Sequence, residues 1–265
     1  MDELIAGTKV LIPWSGGLDS TFLVNLAIEK GCKVDVCYFK IDNNTEKTQC
    51  EHNARRAMLD YFSNKARTLN QYFGDLGELF SFDVGHDHNR KPVGRFTQTP
   101  LWVVASAYCA ADHDYVAMGF VMGDQTISWN REYKNLFDCY KKIRHDVEEE
   151  SSTELIFPIM RTPKDYIWAQ GLPYELREHI WFCESPRKID ENSFEPCGHC
   201  KPCSHHPGPV HANGPVSLDC IQDDTKAIMD VRKKAVTELS YDMKKQIETL
   251  QDSIQESEEE IYQAS

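Results

Sequence analysis

The residues whose types and spacing suggest chemistry first appear in one short run, Ser15-Gly16-Gly17-Leu18-Asp19-Ser20. An apolar segment, Lys9 to Trp14, precedes the run, and a segment with helical apolar spacing, Thr21 to Lys30, follows it. Two glycines permit a tight turn in which backbone N–H groups converge, and the dipole of the following helix adds positive potential. Together with two serine hydroxyls, such a turn forms a cradle for a phosphate or pyrophosphate group. Asp19 fits either a ligand of phosphate-bound magnesium or a helix cap.

A second set of reactive side chains is a group of thiols late in the chain. Three of them have the spacing C-x2-C-x2-C, and a fourth lies upstream. The four are Cys183, Cys197, Cys200 and Cys203. Four thiolates at about 2.3 Å form a closed tetrahedral zinc site, which is structural rather than catalytic. His199 and His205 are rival ligands, and an iron–sulfur cluster is the alternative occupant, because clustered thiols also suit one.

Alternating apolar segments predict the elements that position these residues. Val34 to Ile41 is a second predicted strand, and a strand, turn, helix and strand at such close spacing form a βαβ unit with parallel strands. The other predicted elements are helices at Lys47 to Phe73, Pro100 to Ala111 and Asn130 to Glu150, strands at Leu79 to Val84 and Tyr115 to Met122, and a short helix capped by Thr162. We therefore predict an α/β fold with a doubly wound, mostly parallel sheet.

The chain divides into three predicted regions. Residues 1–180 form the α/β domain, residues 181–215 the zinc-binding loop region, and residues 216–265 an extension. Apolar residues recur at spacings of mostly three or four from Val236 to Ile261, which indicates a long amphipathic helix. That helix suits a coiled coil with a protein partner or, equally, a solvated helix on its own domain.

Composition limits the classes of partner. The chain has 265 residues and a formal net charge of -13. This charge argues against broad electrostatic binding to nucleic acid, which usually requires a basic patch. No stretch approaches the roughly 20 apolar residues of a membrane span, and the acidic start does not suit a signal peptide. We expect a cytoplasmic protein.

The run from Ser15 to Ser20 resembles the signature of the ATP pyrophosphatases with a PP-loop, and Walker A and dinucleotide-loop patterns are both absent. Enzymes of that type split ATP between the α and β phosphates and leave AMP on a substrate oxygen. The resemblance implies that Ser15, Gly16, Gly17, Leu18, Asp19 and Ser20 bind the pyrophosphate end of ATP. It also implies that the end of the second strand, from Tyr38 to Lys40, lies near the adenosine.

The loop and the cysteines together resemble the 7-cyano-7-deazaguanine synthase family of the queuosine pathway, over roughly residues 8 to 204. That family has SGG-x-DS near its start and a late upstream Cys followed by C-x2-C-x2-C. Leu101 to Gly119 is similar to its apolar helix followed by a strand ending in Gly, and Asp124 lies where the family has an acid. Phe157-Pro158-Ile159, followed by Lys164, resembles its segment before a helix. The family's PGRN-like run is replaced here by Arg95 to Pro100.

The resemblance implies a ligase that forms C–N bonds. The carboxylate of 7-carboxy-7-deazaguanine is adenylated, ammonia converts the adenylate to an amide, and a second adenylation permits dehydration to the nitrile. Lys164, Asp124 and Asp19 are the implied catalytic residues, and Arg95, Gln98 and Gly119 are candidates for substrate contact. The implied cofactors are structural zinc and magnesium bound with ATP, and the implied assembly is a homodimer.

Three alternatives stay open. A divergent relative would join the activated deazaguanine to another amine, such as one on a protein. A tRNA-thiolating PP-loop enzyme would adenylate a base oxygen and use CxxC cysteines for sulfur or a cluster, although the charge of -13 argues against a tRNA partner. A nucleotide-binding scaffold would recruit a protein partner through the C-terminal helix.

Overall fold

The computed structural model describes residues 3–42, 44–83, 98–110, 112–144, 152–190 and 193–206. The predictions for Arg95, for the loop around it and for the C-terminal helix of residues 216–265 lie outside the described residues. Within the described ranges, no helix combines the length and the apolar character that crossing a bilayer requires.

The centre of the fold is a five-stranded sheet in the order β3-β2-β1-β4-β5, in which every pair of neighbouring strands is parallel. The strands are β1 (Lys9–Pro13), β2 (Lys33–Asp42), β3 (Phe73–Asp83), β4 (Tyr115–Ala117) and β5 (Glu154–Ile156). The chain builds outward from β1 through β2 to β3, and it then returns to the other side of β1 to add β4 and β5. The strand order therefore reverses between β1 and β4.

Helices cover both faces of the sheet. They are α1 (Leu18–Glu29) and α2 (Thr45–Thr68) on one face, and α3 (Gln98–Cys109) and α4 (Asn130–Arg144) on the other. In β1, Val10 and Ile12 pack in the core with α1 and α2, whereas Leu11 packs in the core with α3 and α4. A strand segment buried on both faces must be apolar, as the three fully buried residues at the centre of β1 are. The predicted doubly wound α/β fold is thus confirmed.

Smaller elements lie at the carboxyl edge of the sheet and in the cysteine region. They are a 3-10 turn (Gln125–Trp129), α5 (Lys164–Tyr166), a π-helical turn (Ile167–Gly171), α6 (Tyr174–Arg177), the hairpin strands β6 (Arg187–Lys188) and β7 (Phe194–Glu195), and α7 (Lys201–His205). The hairpin and α7 carry little apolar core of their own, so the cysteine region needs another source of stability.

Several predicted boundaries are wrong. β3 begins at Phe73 rather than Leu79, because α2 already ends at Thr68. β4 stops at Ala117, well before Met122. Thr162 does not cap α5: Pro163 occupies the cap position without a side-chain hydrogen bond, and Thr162 is buried with its carbonyl oxygen accepting from the N–H of Met122.

Candidate nucleotide-binding site and metal centre

A cavity of about 380 Å³ opens at the carboxyl ends of the strands. Its wall includes Pro13 and Trp14 at the end of β1, Tyr38 on β2, and Met118 just after β4. Open parallel sheets bind ligands at this edge, at the point where the strand order reverses. The cavity is therefore the first candidate for a functional site.

The run from Ser15 to Ser20 forms a closed turn at one side of the cavity. The N–H of Gly17 donates to Ser15 Oγ at 3.3 Å, and Ser20 Oγ donates to the carbonyl oxygen of Gly17 at 3.3 Å. Helix α1 begins at Leu18 with Gly17 as its N-cap and no side-chain cap. The first N–H groups of a helix have no partner within the helix, so they are free to bind an anion in the cavity.

Gly16 shapes this turn without lining the cavity. Its φ of 78° lies in the left-handed region, and an added Cβ would lie 2.9 Å from the Cβ of Ala54 on α2. A glycine is needed here because any other residue would combine backbone strain with a clash. The expected pyrophosphate contact of Gly16 stays a prediction.

Gly119 brings the chain that follows β4 against the turn formed by Ser15 to Ser20, called here the phosphate turn. A Cβ at this position would lie 3.0 Å from both the N and the Cα of Ser20. Since those are backbone atoms at the start of α1, a larger residue would push the two segments apart. Gly119 also lines the cavity, where it was predicted as a candidate for substrate contact. The role that its surroundings indicate is close packing of the two segments.

Lys164 and two carboxylates meet beside the turn. Lys164 Nζ lies 3.1 Å from Asp19 Oδ2 and 3.3 Å from Asp124 Oδ1. Burial lowers the pKa of Lys164, but the two carboxylates outweigh it and the net pKa is raised, so the side chain stays an ammonium ion. The three predicted catalytic residues thus share one wall of the cavity.

Asp19 is held in an unfavourable environment for a carboxylate. Desolvation by burial and the nearby Asp124 raise its pKa to about 6, although Lys164 lowers it. Asp19 Oδ1 is buried and has no hydrogen-bond partner among the described residues. A buried carboxylate oxygen without a donor is a natural ligand for a cation such as Mg²⁺.

A second lysine lies between two carboxylates on the β2 side of the turn. Lys47 Nζ lies 2.6 Å from Glu184 Oε2 and 3.8 Å from Glu51 Oε1, and Tyr38 donates a hydrogen bond to Glu51 Oε2 at 2.5 Å. All four side chains line the cavity. Burial lowers the pKa of Lys47, but Glu51 and Glu184 outweigh it and the net pKa is raised.

Sequence reasoning missed three members of this second group: Lys47, Glu51 and Glu184. The i,i+4 spacing of Lys47 and Glu51, at the start of a helix that follows a β-strand, was the available signal. Lys40 was predicted here in their place. It lies on β2 but is not among the residues lining the cavity, where Tyr38, Phe39 and Ile41 represent that strand.

The remaining wall is largely apolar. Trp102 of α3, Phe39 and Ile41 of β2, and Phe120 after β4 line it, with Gln98 at the first turn of α3. An apolar and aromatic wall with a few polar groups suits a planar heterocycle. Of the two substrate residues predicted near the start of α3, Gln98 lies in the cavity, and Arg95 lies outside the described residues.

The four predicted metal ligands come together. The sulfur atoms of Cys183, Cys197, Cys200 and Cys203 all lie within 4.8 Å of one another. The Sγ–Sγ distance is 3.9 Å from Cys197 to Cys203 and 3.9 Å from Cys200 to Cys183. Tetrahedral bonds of about 2.3 Å would separate the sulfurs by about 3.8 Å. The four thiols therefore fit a metal ion.

Backbone donors support a thiolate at Cys197, whereas burial raises the pKa of Cys183 and of Cys203. The N–H of Cys197 donates to Cys183 Sγ at 3.2 Å, and the N–H of Cys200 donates to Cys197 Sγ at 3.3 Å. Desolvation opposes ionisation of Cys197, but the N–H groups of His199 and Cys200 outweigh it and lower the pKa of Cys197 to about 6. His199, a rival ligand, directs Nδ1 to the carbonyl oxygen of Cys197 at 2.9 Å, and the side chain of His205 lies outside the described residues.

Two solved structures show a remote likeness to this chain. No protein-family model matches the chain, and no curated protein matches it. The fold is similar to a solved structure of the U34-tRNA thiolase NcsA from Methanococcus maripaludis with its [4Fe-4S] cluster, at 15% identity and a TM-score of 0.40, over 72% of this chain and 62% of that one. It is also similar to a predicted subunit of tRNA methyltransferase from Methanocaldococcus jannaschii, at 11% identity and a TM-score of 0.33, over 62% of this chain and 74% of that one.

This chain thus spans 62% of the length of the thiolase. Identities and TM-scores this low carry no inference about function.

Proposed function

We propose that this protein is an ATP-dependent enzyme of the PP-loop type, which transfers AMP from ATP to an oxygen of its substrate and releases pyrophosphate. The observation that carries the proposal is the position of Lys164, 3.1 Å from Asp19 of the phosphate turn and in the same cavity as the start of α1. A cation and a set of converging N–H groups at one point suit the charge that develops on a leaving pyrophosphate.

Each part of the site has a proposed task. The N–H groups at the start of α1 and the hydroxyls of Ser15 and Ser20 hold the β and γ phosphates. Asp19 and Asp124 are the carboxylates available for the Mg²⁺ that accompanies ATP. Lys164 neutralises the phosphates while the substrate oxygen attacks the α phosphorus, the bond from that phosphorus to the bridging oxygen breaks, and pyrophosphate leaves.

The proposed acceptor is the carboxylate of a 7-carboxy-7-deazaguanine. The support is the resemblance to 7-cyano-7-deazaguanine synthases, together with an aromatic wall suited to a planar heterocycle. Ammonia, or another amine, then attacks the acyl carbon, loses a proton, and expels AMP, so that a C–N bond replaces a C–O bond. When ammonia is the amine, a second adenylation, now of the oxygen of the primary amide, permits loss of AMP and of the two N–H protons to give the nitrile.

For the four-cysteine centre we propose zinc in a structural role. Three of the Sγ–Sγ distances are 3.3 to 3.9 Å and all of them are within 4.8 Å, which supports a single ion. An iron–sulfur cubane bonds each cysteine to a different iron and so requires a wider separation of the sulfurs. A closed set of four thiolates leaves no open position for substrate.

The second candidate is adenylation of a tRNA base before sulfur transfer. The observation that favours it is the four-cysteine centre, because enzymes of that kind use cysteines for sulfur or for a cluster. It is also the activity named for one of the solved structures above, although that likeness is too low to transfer a function. The formal net charge of -13 argues against tRNA as the substrate, because a polyanion of that size usually binds to a basic surface.

The deciding experiment measures pyrophosphate release from ATP and Mg²⁺ with 7-carboxy-7-deazaguanine, with and without ammonia, and identifies the products by mass spectrometry. A parallel reaction contains unmodified tRNA. Release that depends on the deazaguanine, with an amide or nitrile as product, supports the main proposal. Release that depends on tRNA alone supports the second candidate. ATP binding without release in either reaction contradicts both.

A further inference from the structure

The chain immediately before the metal centre contacts the candidate ATP site at two points. The N–H of Trp181 donates to the carbonyl oxygen of Gly16 in the phosphate turn, at 3.1 Å. Trp181 Nε1 in turn donates to the carbonyl oxygen of Cys183 at 3.0 Å, which fixes the backbone between the two residues. One short segment, residues 181–184, therefore connects a metal ligand with the phosphate turn.

Glu184, the residue after that ligand, makes the second connection. Its carboxylate lies 2.6 Å from Lys47 Nζ, and its carbonyl oxygen accepts from Asn44 Nδ2 at 3.1 Å. Asn44 is the N-cap of α2, where its Oδ1 accepts from the N–H of Lys47 at 3.0 Å. Glu184 thus holds both the cap of α2 and the lysine in its first turn.

Lys47 depends on Glu184 for its position. Its distance to Glu51 is 3.8 Å, so the contact with Glu184 at 2.6 Å is the short one that fixes the ammonium group. Lys47 and Glu184 both line the cavity. A lysine side chain has four rotatable bonds, and loss of its short contact would let the charge move away from the wall.

The metal centre in turn fixes Glu184. The side chain of Cys183 is fully buried among the other thiols and accepts a hydrogen bond from the N–H of Cys197. A metal bond to Cys183 would therefore hold the residue next to it, in addition to the packing of Trp181 and Phe182 against the main core.

We propose that Glu184 is a positioning residue that couples the four-cysteine centre to nucleotide binding: the bound metal fixes residues 181–184, and Glu184 then fixes Lys47 in the cavity wall. The inference rests on the proposed function, because it assumes that the cavity binds ATP with Mg²⁺. According to this proposal, the bound metal does more than stabilise the fold: it also keeps the ammonium group of Lys47 in the cavity wall.

The test consists of two thermodynamic cycles, and in both the measured quantity is the dissociation constant, Kd, for nucleotide. Titration calorimetry with a non-hydrolysable ATP analogue and Mg²⁺ gives Kd for the full chain, for Glu184→Gln, for Lys47→Met and for the double variant. Loss of one charge-assisted contact should raise Kd about five- to ten-fold in each single variant. If Glu184 acts through Lys47, the double variant should bind no more weakly than Lys47→Met.

The second cycle combines Glu184→Gln with metal removal by a chelator. Metal removal should raise Kd of the original protein, and it should raise Kd of Glu184→Gln by a smaller factor. Metal content and circular dichroism are measured on every sample, so that a change in affinity is separated from loss of metal or of fold. If Glu184 only stabilised the fold, Glu184→Gln would change the melting curve but would not produce these changes in Kd.

The matched control is Glu29→Gln. Glu29 contacts Lys65 at 2.5 Å and so also joins an acid to a lysine of α2, but away from the cavity. Its Kd should equal that of the original protein. A Glu184→Gln protein that keeps its metal and binds the analogue within two-fold of the original, or more tightly, as relief of charge repulsion alone would give, overturns the inference alone. Failure of the original protein to bind any nucleotide overturns the proposed function, and the inference with it.

Discussion

Lys164 Nζ lies 3.1 Å from Asp19 Oδ2, although Lys164 follows β5 at one edge of the sheet and Asp19 follows the central strand β1. This contact joins a cation from the last part of the α/β fold to the turn that begins it. The phosphate turn supplies N–H donors but has no cationic residue of its own. Lys164 provides the positive charge that the turn lacks.

Replacing Lys164 with Met should abolish most of the pyrophosphate release. Loss of a charge that stabilises the leaving group typically costs about 10² to 10³ in rate. The measurement is kcat/KM for pyrophosphate release with saturating Mg²⁺. The control is Lys188→Met, since Lys188 lies on the exposed strand β6. Retention of more than half of the activity in Lys164→Met would exclude a catalytic role for this lysine.

The amount by which Asp19 lowers the free energy of unfolding should depend on pH. Its pKa is raised from 3.8 to about 6 in the folded protein, so the folded state binds more protons than the unfolded state between these values. Stability therefore falls as pH rises through that window, and the full cost is present above about pH 7. Replacement by Asn removes this dependence.

Urea unfolding of the original protein and of Asp19→Asn checks this prediction. The difference in free energy of unfolding should shift in favour of Asp19→Asn by about 1–2 kcal/mol between pH 4.5 and pH 7.5. Each pH is measured without nucleotide or Mg²⁺, which would bind the carboxylate. A difference that is constant over this range would show that Asp19 has an ordinary pKa.

Nucleotide binding should require a divalent cation. Among the described residues that line the cavity, four carboxylates face only two lysines. Asp19, Asp124, Glu51 and Glu184 oppose Lys47 and Lys164. A site with this excess of negative charge would repel the free anion, so removal of Mg²⁺ should weaken ATP binding by at least about ten-fold.

Titration of ATP in the presence of Mg²⁺ or of excess EDTA tests the cation requirement, with metal content of the four-cysteine centre monitored throughout. Asp124→Asn and Asp19→Asn should reduce the effect of Mg²⁺. Equal affinity with and without the divalent cation would contradict the assignment of these carboxylates.

The four-cysteine centre should lose its metal when one ligand is removed. Cys200→Ser replaces a thiolate that lies 3.3 Å from Cys203 Sγ, and three remaining ligands should bind at least about 100-fold more weakly. The control is Cys139→Ser, because Cys139 is exposed on α4. Elemental analysis of both proteins gives the stoichiometry and the identity of the metal.

A colourless protein with one equivalent of zinc, lost in Cys200→Ser and retained in Cys139→Ser, is the expected result. A brown protein containing iron and sulfide would favour the second candidate function. Full metal content in Cys200→Ser would show that this cysteine is not a ligand.

Local patterns predicted the first half of the fold well. The βαβ unit and the phosphate turn follow from adjacent apolar and glycine-rich segments, and the cysteine spacing was enough to identify all four thiols that meet. β5 was missed because three residues, Glu154–Ile156, are too few to show a period.

The second lysine of the site, Lys47, could be recognised only from the tertiary structure. Lys47 and Glu184 are 137 residues apart, and nothing in their local sequences links them. Tyr38 and Lys40 of β2 were both predicted at the site; Tyr38 lines the cavity and Lys40 does not.

The strand order described above also governs when the site appears during folding. Val10 pairs with Val34 early in the chain, but its other neighbour is Tyr115, and such distant pairings form slowly. The phosphate turn leaves the ribosome long before Lys164 is synthesised. We therefore expect nucleotide to bind only the finished domain, where it would act as a late stabiliser of the native state and not as a template for its formation.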